Sequence, residues 1–211
     1  MDRPARPPAA PSGVAAPAAA AAASAAARDQ ILRGVRAAAV KPEPLPDVAP
    51  DFGIHYPDLK ARFAQSVQEA GGRCVFGAVE AALSAIPEYA SALKVFSVVP
   101  GVSRANVGPV LDPHEYASLD FCVLQGELGV AENAAIWVRD FPNRAAAYLA
   151  QHIAIVVSGE ALVHNLHEAY ARLTIGPGFG QFIAGPSKTA DIEQALVIGA
   201  HGARSCTVIV T

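Results

Sequence analysis

Ser187-Lys188-Thr189 is the densest polar cluster in the chain, and it stands where anion chemistry is possible. It follows the Gly185-Pro186 turn and opens GPSKTADIEQALVIGAHG, which runs on through Asp191 and Glu193 to His201 and Gly202. A lysine between two hydroxyls offers a full positive charge and two hydrogen-bond donors. Beside a helix N-terminus, whose first N–H groups are free, that set can hold a phosphate or carboxylate. Asp191 and Glu193 pull the other way, because acids in the first turns already complement the positive end of a helix. The loop also lacks the Gly-x-x-x-x-Gly-Lys spacing of a Walker A loop. Two readings stay open here: an anion site, or a well-capped helix start with Ser187 or Thr189 as N-cap. His201, beside Gly202, either complements the C-terminal end of that helix or belongs to a site.

Glu132-Asn133 is the second candidate. The pair stands at a tight turn between two apolar stretches, where Asn is suited because it tolerates positive φ. That need does not extend to Glu132, whose carboxylate can serve as nucleophile, base or hydrogen-bond acceptor; the plain alternative is a solvated turn residue. The third candidate is His164-Asn-Leu-His167-Glu168. At 100° per residue, His164, His167 and Glu168 point away from the apolar stripe of Leu162, Leu166, Ala169 and Leu173. They are expected to face solvent, a cleft or a partner. Zinc needs a third ligand beyond two histidines and none is near in sequence, so no metal site is expected. Trp137 and Tyr170 read as packing residues.

Positioning these groups requires alternating strands and helices. Ile192, Ala195, Leu196 and Gly199 fall at i, i+3, i+4 and i+7, which predicts an amphipathic helix. Apolar runs flank it, Gln181 to Ala184 before and Thr207 to Val210 after. Strand, loop, helix, strand is the order of a parallel crossover unit, and ligands gather at strand carboxyl ends in such sheets. Further helices are predicted over Arg28 to Val40, Leu59 to Ala70 (ended by Gly71-Gly72), Val79 to Ile86 and Glu160 to Leu173. Further strands are predicted over Arg73 to Gly77, Leu93 to Val99, Leu119 to Leu124 and Ile153 to Val157, the last as a central strand. Gly126 to Val138 reads as a hairpin. Together these give an α/β fold: a mostly parallel sheet with flanking helices and one β-hairpin.

Composition bounds the function classes. Residues 1–27 are almost entirely Ala and Pro and are expected to be a disordered tail. Arg3 and Arg6 ahead of it give the outline of a secretory signal, but its core is Ala rather than Leu and prolines interrupt it. No run is apolar enough to span a membrane, and the chain is expected in the cytoplasm. Residues 28–50 are read as a short helix and a Pro-rich linker, and residues 51–211 as one domain. Hydrophobic content of 52% leaves enough large side chains for a core. A net charge of −3 argues against an electrostatic nucleic-acid binder. Three dispersed cysteines, Cys74, Cys122 and Cys206, suit a reducing compartment and are too few for an iron–sulfur cluster of the chain's own.

The terminal stretch also resembles a known family. Gly185 to Gln194 and Leu196 to Gly202 look like the signature end of LUD-domain proteins of the lactate-utilisation protein C type. The resemblance extends back through HNLHEAY at His164 to Tyr170, QHIAIVV at Gln151 to Val157 and GELGVAENAAIWV at Gly126 to Val138. It covers roughly residues 50 to 211 and leaves out the Ala/Pro tail. It implies a fold like that of ribose-5-phosphate isomerase and CoA transferases. It also implies a cytosolic protein required for lactate oxidation to pyruvate, working beside iron–sulfur partner subunits that would supply the clusters. CoA transferases of this wider fold group carry a thioester-forming Glu in a Ser-Glu-Asn-Gly turn. The corresponding segment here is Ala131-Glu132-Asn133-Ala134; the Glu and Asn match and the flanking Ser and Gly are alanine. The resulting expectation is an accessory or non-catalytic subunit binding a small anionic metabolite between Glu132-Asn133 and Ser187–Thr189. Open alternatives are a stand-alone transferase or ligase using Glu132, and a structural scaffold.

Overall fold

Short β-branched and apolar runs build the centre of this protein. Its computed structural model describes residues 18–40, 43–44, 53–139, 144–176, 178–190 and 196–211. The strands are β1 (Arg73–Phe76), β2 (Val95–Ser97), β3 (Phe121–Gln125), β4 (Leu128–Val130), β5 (Ile136–Arg139), β6 (His152–Val157), β7 (Leu162–Val163), β8 (Gly180–Ile183), β9 (Lys188–Ala190), β10 (Leu196–Ile198) and β11 (Ser205–Val210). The helices are α1 (Ala18–Ala37), α2 (Leu59–Glu69), α3 (Val79–Ser84), α4 (Pro87–Ser91), α5 (Ala145–Leu149) and α6 (Leu166–Arg172). Five strands form one sheet in the order β1-β11-β6-β3-β2, and every neighbouring pair is parallel. Its central strand is β6, the β-branched run Ile153 to Val157. Four more form a mixed sheet in the order β7-β4-β5-β8, with β4 and β5 antiparallel as the expected hairpin. The predicted α/β class, with a parallel sheet, flanking helices and a hairpin, is the class observed.

Alternation along the strands explains why the parallel sheet is buried on both faces. Phe121, Val123, Ala154, Val156 and Ile209 point to one side, onto Leu83 of α3, Tyr89 of α4 and Ile86 between them. Cys122, Leu124, Ile155, Val157, Val208 and Val210 point to the other, onto Phe63 and Val67 of α2 and Ile136 and Val138 of β5. The second sheet thus lies against the first across a shared core. Its own far side, through Val130, Trp137 and Val163, meets Ala169 of α6. Asp58 caps α2 by accepting from Ala61 N, and Gly71 (φ +79°) turns the chain at its end, as the Gly-Gly pair predicts.

Three helical expectations need correction. The helix expected from Arg28 begins at Ala18, because alanine has the highest helix propensity and the run is long enough to propagate. The helix expected over Glu160 to Leu173 begins only at Leu166. Leu162 and Val163 instead extend as β7 beside β4, and Asn165 caps α6 by accepting from Glu168 N. Asn favours a cap over a helix interior, so Asn165 divides the segment. The helix predicted through Leu196 and Gly199 is replaced by a hairpin, in which Lys188, Thr189 and Ala190 pair with Ile198, Val197 and Leu196. Thr189, Val197 and Ile198 are β-branched and favour strands, and Gly199 at φ +77° follows the end of β10. Neither Ser187 nor Thr189 is therefore a helix N-cap. Asp191, Ile192, Glu193 and Ala195 lie outside the described residues. No helix among the described residues is long and apolar enough to cross a membrane.

Candidate functional site

Both ends of the terminal motif converge on one cavity of about 330 Å³. Gly185, Pro186, Ser187 and Lys188 form one wall, His201 and Gly202 another, and Tyr148, Ile153 and Gln181 close the remainder. Backbone bonds hold these walls together. Ser187 N donates to Ala203 O at 2.9 Å and Gly199 N donates to Ser187 O at 3.0 Å. Gly202 packs closely on Ser187: a Cβ there would fall 3.0 Å from that of Ser187, which would have to shift slightly. Gly185, at φ +74°, lets the chain leave β8 and pass against the carbonyl of Ala70 at the end of α2. The cavity lies beside Ile153 and Ala203, at the amino ends of β6 and β11, rather than at the strand carboxyl ends expected for a crossover unit.

The polar groups of the lining have one character. Lys188 supplies an ammonium, His201 an imidazole, Ser187 and Tyr148 hydroxyls, and Gln181 a carboxamide. Among the described residues, no lining side chain is a carboxylate. The Tyr148 hydroxyl donates to Gln181 Oε1, while Gln181 Nε2 is buried without a partner among the described residues. Thr189 continues into β9 and is not part of the lining, and Asp191 is outside the described residues. Sequence reasoning missed Tyr148 and Gln181, because neither belongs to a motif and only tertiary packing brings them to the cavity.

Glu132 and Asn133 do not line the cavity. Asn133 Oδ1 accepts from Ala135 N at 3.1 Å and so braces the turn, but the positive φ falls on Ala134, at +60°, not on Asn133. Ala134 is the one non-glycine residue among the described residues in the left-handed conformation. Glu132 has a structural partner that the sequence did not show: its Oε2 accepts from Leu166 N at 3.2 Å, at the start of α6. The Glu132 N–H in turn donates to His164 O at 3.0 Å.

The outward face predicted for His164, His167 and Glu168 is also divided. His167 is exposed on α6, whereas His164 precedes the helix and is half-buried. His164 Nδ1 accepts from Tyr56 N at 3.0 Å, and Glu168 Oε2 accepts from His164 N at 3.0 Å. Glu168 Oε1 lies 3.4 Å from Nδ1 of His55, a residue the sequence analysis did not single out. Elsewhere, burial pushes the Cys122 and Cys206 thiols up to about 12 and the Cys74 thiol up to about 11, so all three are held protonated.

A parallel α/β sheet backed by a mixed sheet has a counterpart among solved structures. The chain is similar to a DUF162 family protein from Deinococcus radiodurans solved by crystallography, at 18% sequence identity and a TM-score of 0.51. That match covers 72% of this chain and 95% of the other. The family model of the LUD domain matches residues 114–211 of the chain. The matched segment runs through the Glu132 turn, β6, α6 and the whole terminal motif. No curated protein matches the chain.

Proposed function

We propose that this chain is an accessory, non-catalytic subunit of an iron–sulfur system oxidising lactate to pyruvate, and that it binds a small anionic metabolite in the Lys188 cavity. The lining carries the second part of this reading: an ammonium, an imidazole and hydroxyls with no opposing carboxylate among the described residues. LUD domains are associated with lactate utilisation, which supports the first part. Thiols held protonated by burial are poor cluster ligands, so partner subunits would supply the iron–sulfur centres. Glu132 as nucleophile of a transferase or ligase is the competing reading. Its place outside the lining and its engagement with Leu166 N weigh against that.

Two measurements test the proposal. A ligand present at a hundredfold excess over its Kd stabilises the fold by about 2.7 kcal/mol. In a domain of this size that raises Tm by roughly 5–10 °C. Lactate, pyruvate and inorganic phosphate are the first probes. Lys188→Ala should weaken the responding anion by about 10–100-fold, the worth of a charged hydrogen bond. The partner arm is co-purification with cysteine-rich subunits and growth on lactate after deletion. If no anion shifts Tm and deletion leaves lactate growth intact, both parts of the reading are wrong.

A further inference from the structure

A second group of chemistry-bearing side chains lies away from the cavity. His55 is on the segment before α2, His164 is in the turn before α6, and Glu168 is in the first turn of α6. Each brings a ligand-capable atom to within 4.8 Å of the other two. None of the three lines the Lys188 cavity. We propose that they form a binding site for a zinc-class divalent cation, with two imidazole ligands and one carboxylate.

The donor set decides the kind of ion. Two imidazoles and a carboxylate suit zinc in tetrahedral coordination with the fourth position left to water. Magnesium and calcium prefer shells of oxygen. Zinc bonds of about 2.0–2.2 Å place neighbouring ligand atoms about 3.4 Å apart in a tetrahedron. His55 Nδ1 and Glu168 Oε1 already stand at 3.4 Å, and the two imidazole rings have centroids 4.8 Å apart at 59°. The His55 side chain is 51% exposed, so it can swing the remaining distance at little cost. Glu168 is held for the purpose: its Oε2 is fixed on His164 N, which aims Oε1 at His55.

One contact opposes the site. Because His164 Nδ1 accepts from Tyr56 N, the neutral ring carries its proton on Nε2. A cation on Nε2 moves that proton to Nδ1, with no net release, and Tyr56 N–H loses its acceptor. A single neutral hydrogen bond accounts for about tenfold in an equilibrium. Bonds from two imidazoles and a carboxylate to the ion outweigh that single neutral hydrogen bond, so the ion prevails when present. Occupation should therefore free the segment around Tyr56, which gives the site a signature that loose surface binding lacks.

The test is calorimetric titration of the untagged full chain with zinc alone, with the Tyr56 amide followed by NMR. The expected result is one equivalent bound, a shift and loss of exchange protection at Tyr56, and no uptake of magnesium. His55→Ala, at an exposed position, should keep the fold and lose at least about tenfold in affinity. Glu168→Gln should do the same. His114→Ala removes the separate exposed His114–Asp112 pair and should leave binding unchanged. Failure of the native chain to take up zinc overturns the proposal. So does undiminished binding by His55→Ala and Glu168→Gln, or zinc binding that leaves the Tyr56 amide unmoved.

Discussion

Replacing Gly185 by alanine tests how the cavity wall is held. Gly185 sits at φ +74°, and a Cβ there would fall 2.4 Å from the carbonyl oxygen of Ala70 and 3.2 Å from its carbonyl carbon. An L-residue in the left-handed region costs roughly 1–2 kcal/mol. Forcing a methyl against packed neighbours adds roughly 1–3 kcal/mol. A more restricted unfolded chain offsets about 0.4–1 kcal/mol of this. The balance is a loss of about 2–4 kcal/mol. Rotamer change cannot relieve the clash, because the obstacle is backbone. Ala70 is tied to α2 through its own N–H, which donates to Ser66 O at 2.8 Å. Urea unfolding of the full chain measures the effect as a fall in midpoint at unchanged slope. Anion affinity should fall with it, since Pro186, Ser187 and Lys188 follow directly. A loss of stability below about 1 kcal/mol would refute the argument, because it would mean that the turn moves freely away from α2.

Ala134→Gly should be nearly neutral, within about 0.5 kcal/mol by urea unfolding, because relief at φ +60° offsets the lost methyl and the added chain entropy; a loss above about 2 kcal/mol would show that the left-handed residue carries no strain. Glu132→Gln keeps an acceptor for Leu166 N and should leave stability unchanged, whereas Glu132→Ala should lose about 1 kcal/mol, read from thermal unfolding. Cys122 and Cys206, held protonated near 12 by burial, should resist alkylation at neutral pH in the folded chain and react at once in denaturant, as mass spectrometry would report. Burial holds the His152 imidazole below its usual range, so the unfolded chain takes up this proton first. The associated stability is intact above about pH 6.5 and is lost as pH falls through the lower folded value. His152→Gln should flatten the pH dependence of the urea midpoint below pH 6.5; an unchanged slope would rule His152 out as its source.

The parallel core was legible because its strands are buried on both faces, and such strands read as unbroken runs like QHIAIVV whatever surrounds them. Segments with one exposed face were harder. Leu196, Val197 and Ile198 are all exposed in β10, so no buried face imposes a period on that segment. An i, i+3, i+4, i+7 coincidence there mimics a helix, while the β-branched content pointed to a strand. The split of Glu160 to Leu173 did have a local signal in Asn165-x-x-Glu168, a capping pattern hidden inside an apolar stripe. The candidate sites divide in the same way. Ser187, Lys188, His201 and Gly202 meet at one cavity and were adjacent in one motif. Tyr148 and Gln181 reach it from α5 and β8. His55 reaches His164 through a contact made beside it, by Tyr56, across 108 residues, a separation that no local pattern encodes.

The turn at Glu132 shows why motif likeness and site geometry have to be argued separately. A carboxylate that is to attack a substrate has to be free of structural partners. Here it accepts from Leu166 N, Asn165 Oδ1 accepts from Glu168 N, and Glu168 Oε2 accepts from His164 N. Side chains thus satisfy the first N–H groups around α6, a helix of seven residues in which only Ala169 is fully buried. So short a helix has little intrinsic stability. Its position depends on these caps, and through Glu132 it is tied to the β4–β5 turn. A functional defect in a Glu132 variant is therefore first a statement about α6, and about the His164 and Glu168 side chains that α6 positions. Only a defect that appears in Glu132→Gln, with α6 still capped, would bring the carboxylate back into chemistry.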